Sequence, residues 1–146
     1  MMNERDSKWK KDILPLLPMA MKELLNSIGE DLPLEEIRIR AGQPIQLCCG
    51  GYDRLIYSSD GRPTATMEDC AEILARVCEH SIYVWEDELK NGFVTMQGGY
   101  RVGICGRIVK EQGEIGRITD ITSLNIRISR SCVGAADTLI ANLLRQ

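Results

Sequence analysis

Two runs of residues on either side of a glycine pair constrain this chain most. Phe93 to Gln97 and Tyr100 to Val109 alternate between apolar and polar side chains, and Gly98-Gly99 lies between them. A period of two residues is typical of a strand with one buried face, and a two-residue Gly-Gly loop favours a tight hairpin. The sequence therefore predicts an antiparallel hairpin that turns one face towards a core.

Further strands are predicted on both sides of this hairpin. Residues 36–40, 45–49 and 52–57 alternate in the same way and are separated by the turn residues Ala41–Pro44 and Gly50-Gly51, which predicts a small meander. After the hairpin, residues 115–119 form a short candidate strand and residues 124–129 alternate again. Strands therefore dominate the second half of the chain.

Helical spacing occurs in four places. A helix is predicted from Pro18 to Gly29, and Ser81 is predicted to cap a short one that runs through Leu89. Thr66 and Asp69 resemble a capping box at the start of an apolar stripe, which makes this the most secure helix. Residues 134–146 carry a last apolar face. The fold class is predicted as α+β, with the polar residues 1–12 frayed.

The length bounds the class of protein. At 146 residues the chain fits one domain of the usual size, about 100–200 residues. Its longest apolar stretch, Ile13 to Met21, has nine residues, whereas a helix that spans a bilayer needs about 20. The N-terminus resembles no secretory signal. The chain is therefore predicted to be cytoplasmic, with its six cysteines reduced.

The net charge of −3 conceals an uneven distribution. Residues 1–100 hold 11 basic and 17 acidic side chains, whereas residues 101–130 hold six basic and three acidic ones. The overall balance differs from that of a general nucleic-acid binder, so no stable nucleic-acid partner is expected. A function that depends on positive charge is predicted in the basic segment.

The sequence lacks the residues that a metal site or a nucleotide-binding P-loop requires. The chain has no Cys-x-x-Cys and one histidine, His80, so no metal site is predicted. The cysteines in helix and strand patterns are interpreted as small buried residues: Cys48, Cys70, Cys78 and Cys105. A P-loop needs glycine followed by lysine, and no glycine here precedes a lysine. The chain alone is predicted to have no catalytic residue, no cofactor and no nucleotide hydrolysis.

The arginines are the strongest remaining functional signal. Twelve arginines against six lysines favour the planar guanidinium, which binds carboxylate or phosphate oxygens in pairs. Six of them lie on or beside predicted strands: Arg38, Arg40, Arg101, Arg107, Arg127 and Arg130. They form either a solvated strand face or part of a phosphate or protein interface that another chain or domain completes.

Several separated motifs occur together in one order. They are EIRIRAGQP at residues 36–44, SIY at 81–83, GFVT at 92–95, GGYRVGICGR at 98–107 and ITSLNIRI at 121–128. Over about residues 30–146 the sequence closely resembles the stage III sporulation protein AA family. Tyr100 stands where that family often has histidine, so no proton chemistry is assigned to this position.

More distantly, the strand–Gly-x-Pro–strand opening and the late arginine-bearing strand are similar to the N-terminal domains of type II secretion and type IV pilus ATPases. The resemblance implies a PAS-like domain over residues 13–130 after a flexible segment 1–12, with a mixed or antiparallel sheet covered by helices on one face. It further implies that residues 131–146 are a linker helix to a RecA-like motor domain beyond this chain.

The same resemblance implies partners and a setting. The full-length family member is expected to be a cytoplasmic ATPase of the mother cell, a hexameric ring that uses ATP and magnesium. Its expected partners are its own motor domain, further copies of itself and the membrane proteins of the sporulation channel.

The resemblance also implies roles for particular arginines. In related motors, arginines of the N-terminal domain approach nucleotide held by the motor domain, and Arg101 and Arg127 best match those strands. The other candidates are interface residues: Arg38, Arg40, Arg107 and Arg130. The first hypothesis is thus a non-catalytic domain that serves ring assembly and partner coupling. The alternative is a stand-alone module that binds an acidic protein or single-stranded nucleic acid.

Overall fold

A computed structural model describes residues 4–29, 32–61, 65–111 and 114–128. Four α-helices and six strands follow one another in the described part, with a 3-10 turn at Leu14–Leu16. The helices are α1 (Glu4–Ile13), α2 (Met19–Asn26), α3 (Met67–Glu79) and α4 (Trp85–Leu89). The strands are β1 (Glu36–Arg40), β2 (Ile45–Cys49), β3 (Tyr52–Ile56), β4 (Phe93–Thr95), β5 (Arg101–Glu111) and β6 (Glu114–Arg127).

All six strands form one sheet in the order β3-β2-β1-β6-β5-β4, and every pairing is antiparallel. This confirms the predicted α+β class, the meander β1-β2-β3 and the hairpin β4-β5. The two groups of strands meet where β1 pairs with β6, so the earliest strand of the chain lies beside the last one. The likeness to a PAS domain stays a prediction.

One face of this sheet carries the core. Its side chains are almost entirely buried: Ile37, Ile39, Ile45, Leu47, Val94, Val102, Leu124 and Ile126. Helix α3 packs against β6 and contributes Cys70, Ile73, Leu74 and Val77 to the same cluster, which also includes residues of α1, α2 and the 3-10 turn. Each large apolar side chain buried here contributes about 1.5–3 kcal/mol.

Helix α3 begins where the sequence predicts. The Thr66 hydroxyl accepts a hydrogen bond from the Asp69 amide at 3.1 Å, and the Asp69 carboxylate accepts one from the Thr66 amide at 3.0 Å. Both halves of the capping box are therefore present, with aspartate in place of the preferred glutamate. At the other end, the Arg76 guanidinium donates to the carbonyl oxygen of Leu16 at 3.2 Å and joins α3 to the 3-10 turn.

The first helix corrects the prediction of a flexible terminus over residues 1–12. Residues 8–12 belong to α1, in which Trp9 and Ile13 are buried in the core. Their i, i+4 spacing places both on one side of the helix, a signal that the surrounding mixture of charges conceals. The Lys10 ammonium donates hydrogen bonds to the carbonyl oxygens of Asn26, the last residue of α2, and of Ile28 just beyond it. These bonds join α1 to the C-terminal end of α2.

The predicted cap at Ser81 is also wrong. Helix α4 begins four residues later, at Trp85, and no side chain caps it. The Ser81 hydroxyl instead bonds to the backbone of Tyr83, and Ser81 forms an isolated β-bridge with Met96. A serine that bonds to backbone two residues away forms a local turn, which competes with a helix N-terminus for the same hydroxyl.

The two strands predicted over residues 115–119 and 124–129 are one continuous strand, β6. Asp120 interrupts the alternation of the sequence and has a positive φ of 51°, which aspartate tolerates better than most residues. The pairing of β5 with β6 contains two register shifts, between Cys105 and Arg107 and between Ile108 and Lys110. These irregularities hide the continuity of the strand from a simple period of two.

The β4-β5 turn contains the glycine pair, but its loop has three residues, Gln97, Gly98 and Gly99, and not the two predicted, because Met96 pairs with Tyr100 and the Gly99 amide donates to the Met96 carbonyl oxygen. Gly98 and Gly99 have φ values of 89° and 83°, which glycine adopts at no steric cost. A Cβ at Gly98 would also lie 2.7 Å from the Tyr100 ring. Tyr100 is buried, and its hydroxyl donates a 2.6 Å hydrogen bond to the carboxylate of Asp12. The turn, the buried tyrosine and helix α1 are thus mutually dependent.

Several predictions fall beyond the described residues. The linker helix over residues 131–146 lies outside them, and the division of the chain at residue 130 stays a prediction. Among the helices of the described ranges, none has the length and apolar character needed to cross a bilayer.

Replacement of Tyr100 by phenylalanine tests the contact with α1. The substitution removes a buried hydrogen bond to a carboxylate, so we expect the free energy of unfolding to fall by about 1.5 kcal/mol. Urea titration followed by circular dichroism measures this loss. Tyr57→Phe, at a tyrosine that is 55% exposed, is the matched control and is expected to leave the unfolding midpoint unchanged.

Tyr100 should also make the stability of the fold depend on pH in the alkaline range. Burial raises the pKa of Tyr100 above its ordinary value, and the hydrogen bond with Asp12 and the negative charge of that carboxylate raise it further. The folded chain keeps a proton that the unfolded chain releases above about pH 10, so stability falls as the pH rises beyond that point. The fall between about pH 9 and pH 11 should be smaller in Tyr100→Phe than in the wild type. Equal slopes in the two proteins would contradict this assignment.

Candidate functional site: an arginine-bearing face of the sheet

The face of the sheet opposite the core carries mainly polar side chains. The register of the pairings places residues of neighbouring strands side by side on this open face. One row across the sheet is Asp53, Cys48, Glu36, Arg127, Arg101 and Thr95, and the next is Leu55, Gln46, Arg38, Asn125, Gly103 and Phe93. Arg40, Ser123 and Cys105 form a third.

Arg101 and Arg127, the two predicted phosphate contacts, are direct neighbours. They are partners in the pairing of β5 with β6, and both are exposed. The Cα atoms of residues paired in this way lie about 4.5–5.5 Å apart, so two guanidinium groups can reach one anion. Like charges opposite each other are unfavourable without such an anion.

Phe93 holds the Arg101 side chain in place. The guanidinium carbon of Arg101 lies 3.8 Å from the centre of the Phe93 ring, which belongs to the edge strand β4. Such a cation–π contact contributes about 0.5–1 kcal/mol at an exposed site. Lysine at this position would keep the charge but lose both the flat stacking surface and the paired donors.

The acidic residue that is paired with Arg127 across the sheet is engaged elsewhere. Glu36 lies opposite Arg127 in the pairing of β1 with β6, but its Oε2 contacts the Arg38 guanidinium at 3.3 Å. No ion pair joins Arg101 or Arg127 to a carboxylate within the part of the chain that is described. Within the described residues, no direct ion pair therefore offsets the positive charge of these two arginines.

Gly103 and Asn125 lie opposite each other in the middle of the open face, in the row next to the two arginines. Gly103 has no side chain, and a Cβ there would approach nothing more closely than 3.8 Å, the distance to the Cβ of Asn125. The Oδ1 of Asn125 is buried and lacks a hydrogen-bond partner among the described residues. Such an atom usually pairs with water or a ligand. No sequence signal identified either residue, because both read as ordinary strand positions.

The remaining predicted arginines divide into two groups. Arg38 and Arg40 lie on β1 with their side chains on the open face, in the same rows as Asn125 and Ser123. Arg107 lies beyond the end of this face, past the first register shift, with its Nε 4.0 Å from the Asp120 carboxylate. The structure thus brings Arg38, Arg40, Arg101 and Arg127 together on one face and separates Arg107 from them. Arg130 lies outside the described residues.

The cysteines correct one part of the sequence interpretation. Cys70 is buried and Cys78 is half-buried against the core, but Cys105 is exposed on the open face opposite Ser123, and Cys48 is half-buried on that same face. Burial raises the pKa of the Cys70 and Cys78 thiols, so both stay neutral at pH 7. All five cysteines of the described ranges are free thiols. No group of three or more metal-ligating side chains lies together in those ranges.

The chemistry of this site suits an anion. Paired guanidinium groups match the geometry of phosphate oxygens, and the three rows of the open face hold four arginines against two carboxylates, a balance that attracts negative charge. ATP would supply such phosphates to Arg101 and Arg127. The three rows hold two carboxylates, and both have partners: Glu36 contacts Arg38, and Asp53 accepts a hydrogen bond from Gln46 at 2.7 Å, so no carboxylate in these rows is left unpaired for magnesium.

Comparison with known proteins gives two matches. The family model described as "Sporulation stage III, protein AA" matches residues 7–146. "Stage III sporulation protein AA" of Bacillus subtilis (strain 168) is 41% identical over 134 residues, which is 90% of this chain but 42% of the relative. The chain therefore spans about two fifths of the length of that relative. No solved structure matches the chain.

Anion binding can be measured on the chain itself. Inorganic tripolyphosphate should raise the thermal unfolding midpoint of the wild type, because a ligand at about ten times its Kd stabilises the folded state by about 1.4 kcal/mol, or a few degrees. Arg101→Gln and Arg127→Gln should each reduce this shift. Arg54→Gln, on the other face of β3, should keep the full shift.

Salt provides the second arm of this measurement. A shift that comes from ion pairing should shrink strongly between about 0.05 M and about 0.5 M sodium chloride. A midpoint that rises equally in the wild type and in both arginine variants would show that tripolyphosphate binds elsewhere.

Proposed function

Because the chain belongs to the stage III sporulation protein AA family, we propose that it is the non-catalytic N-terminal domain of a secretion-type ATPase that acts in sporulation. The 42% coverage of the Bacillus subtilis relative supports this division, since most of the relative lies beyond the matched region. The proposed ATPase works at the channel between mother cell and forespore, in the mother cell cytoplasm.

The neighbouring positions of Arg101 and Arg127 carry this proposal further. We assign these two side chains to the phosphates of a nucleotide held by a RecA-like motor domain, either of the same subunit or of the next one in a hexameric ring. Guanidinium groups stabilise the charge that develops on a transferring phosphoryl group, and they need no reorganisation if they are already in place. The stacking of Arg101 on Phe93 supplies part of that preorganisation.

Arg38 and Arg40 have a different place in the proposal. They lie on the same open face as the phosphate-directed pair but two strands away from β5, across β6. With a phosphate held by Arg101 and Arg127, Arg40 contacts an acidic surface of the motor domain or of a neighbouring subunit, and Arg38 joins this contact while it also holds Glu36. Contacts of this kind contribute more to orientation and association rate than to affinity.

Hydrolysis by the full-length protein tests the role of the arginine pair. Arg101→Gln and Arg127→Gln should each lower the turnover of ATP by about tenfold or more, because an arginine that stabilises phosphoryl transfer contributes at least that factor. Arg101→Lys should also be impaired, since lysine lacks the planar fork. Arg54→Gln is the matched control and should retain full turnover.

Two further measurements interpret the result. Thermal unfolding of each variant shows that the domain is intact, and sedimentation shows whether the ring still forms. Unchanged turnover in both Arg101→Gln and Arg127→Gln would remove the nucleotide role. A loss of turnover that follows loss of the ring would reassign the pair to subunit contact.

Single-stranded nucleic acid is the second ligand that an arginine-rich face favours. Such binding normally needs aromatic platforms on which bases stack, and Phe93 is the one aromatic side chain in the three rows of the open face, where Arg101 already covers it. Salt-dependent binding of a single-stranded oligonucleotide, lost in Arg127→Gln, would favour this module over the nucleotide contact.

A further inference from the structure

Three consecutive apolar side chains are exposed between α3 and α4. Ile82, Tyr83 and Val84 are 49%, 63% and 63% exposed, and we call them the edge patch. Single exposed apolar residues are normal on protein surfaces, but a contiguous group is characteristic of a contact site. The other large exposed apolar residues of the described ranges are not consecutive: Met19 and Met67 are single, and Tyr52, Leu55 and Tyr57 are spaced along and just beyond the edge strand β3.

Backbone hydrogen bonds hold the edge patch in this position. The Ile82 amide donates to the carbonyl oxygen of Thr95 at 3.1 Å, and the Gln97 amide donates to that of His80 at 3.1 Å. The segment therefore continues the sheet beyond the edge strand β4. The Ser81 hydroxyl accepts from the Tyr83 amide at 3.3 Å and donates to the Tyr83 carbonyl oxygen at 3.0 Å. The three exposed side chains thus belong to a segment whose backbone is held by hydrogen bonds.

The acidic helix α4 follows the edge patch directly and is held against β4 by hydrogen bonds. The Glu88 carboxylate accepts hydrogen bonds from the amide and the hydroxyl of Thr95, at 3.2 and 2.8 Å. Glu88 is therefore used internally, whereas Glu86 and Asp87 point to solvent, and the Asp87 side chain is 76% exposed. Lys90 is 4.0 Å from Asp87 and only partly offsets this charge.

We propose that the edge patch, together with Glu86 and Asp87, is a docking surface for an amphipathic segment of another protein that carries lysine or arginine beside its apolar residues. The apolar side chains supply contact area, and the two carboxylates select a basic partner and increase its association rate. The patch is small, so the complex belongs to the weak, transient class of interfaces.

The negative charge of Glu86 and Asp87 favours a basic protein segment over two other occupants, an anionic membrane surface and a second copy of this chain. Anionic membrane surfaces attract basic segments and are repelled by carboxylates, so Glu86 and Asp87 oppose attachment to lipid. A two-fold dimer through the same patch places identical surfaces against each other, which brings Glu86 and Asp87 of both copies together. A basic partner alone turns these carboxylates into a favourable contribution.

Designed peptides test this surface on the 146-residue chain. The probe is a helical peptide of about 18 residues, five turns, with leucine along one face and lysine on both flanks, and its counterpart has glutamate in place of lysine. Calorimetry should show that the lysine peptide binds at least about tenfold more tightly, a difference of about 1.4 kcal/mol. Raising the salt should remove most of that difference.

Variants locate the binding on the molecule. Tyr83→Ser and Val84→Ser should each weaken the lysine peptide several-fold, whereas Tyr57→Ser, at another exposed tyrosine, should have no effect. Glu86→Gln with Asp87→Asn should abolish the preference for lysine, and Glu68→Gln should preserve it. Circular dichroism of every variant shows that the fold is unchanged.

Several outcomes would overturn the proposal. Equal binding of the lysine peptide to the wild type and to Tyr83→Ser would do so, and so would equal binding of the glutamate and lysine peptides to the wild type. Phosphatidylglycerol vesicles that bind the wild type but not Tyr83→Ser would identify a lipid occupant. A wild-type dimer that Tyr83→Ser dissociates would identify a second copy, and peptide binding that appears only in Leu139→Ser with Leu143→Ser would identify residues 134–146 of the same chain. None of these outcomes bears on Arg101 and Arg127, so the proposed function is tested separately.

Discussion

The pairing of β1 with β6 is the interaction on which the rest of the structure depends. It joins the early meander to the late hairpin and makes one sheet of two groups of strands. Five residues of β1 are matched with five of β6, from Glu36 opposite Arg127 to Arg40 opposite Ser123. This register places the buried residues of both strands on the helix side, and it therefore leaves their polar residues together on the open face.

Much of this fold is legible in the sequence because its signals are local. The capping box at Thr66 and the glycine pair at residues 98–99 each act over a few residues, and both lie where they were predicted. Helix α1 was missed because its sequence is mostly charged, and among residues 8–13, whose side chains are described, Trp9 and Ile13 are the two that are buried. The continuity of β6 was missed because Asp120 and two register shifts break the alternation without breaking the strand.

The candidate site could be predicted from the sequence only in part, and for a different reason. The sequence indicates which arginines lie on strands, but the partner of each residue across the sheet follows from long-range register, which a one-residue slip would invert. Only the structure places Arg101 opposite Arg127 and separates Arg107 from both. The supporting residues Phe93, Gly103 and Asn125 carry no chemical signal of their own, since their importance comes from what lies next to them.

The central pairing also has a consequence for how the chain folds. Bringing Glu36 beside Arg127 closes a loop of about 90 residues, and the entropy of that closure must be overcome before the contacts that reward it exist. Proteins dominated by such long-range strand pairings fold on the millisecond-to-second scale. During synthesis, the meander of β1, β2 and β3 leaves the ribosome with one side of β1 still unpaired. Its protection from aggregation therefore depends on how soon the last strand follows.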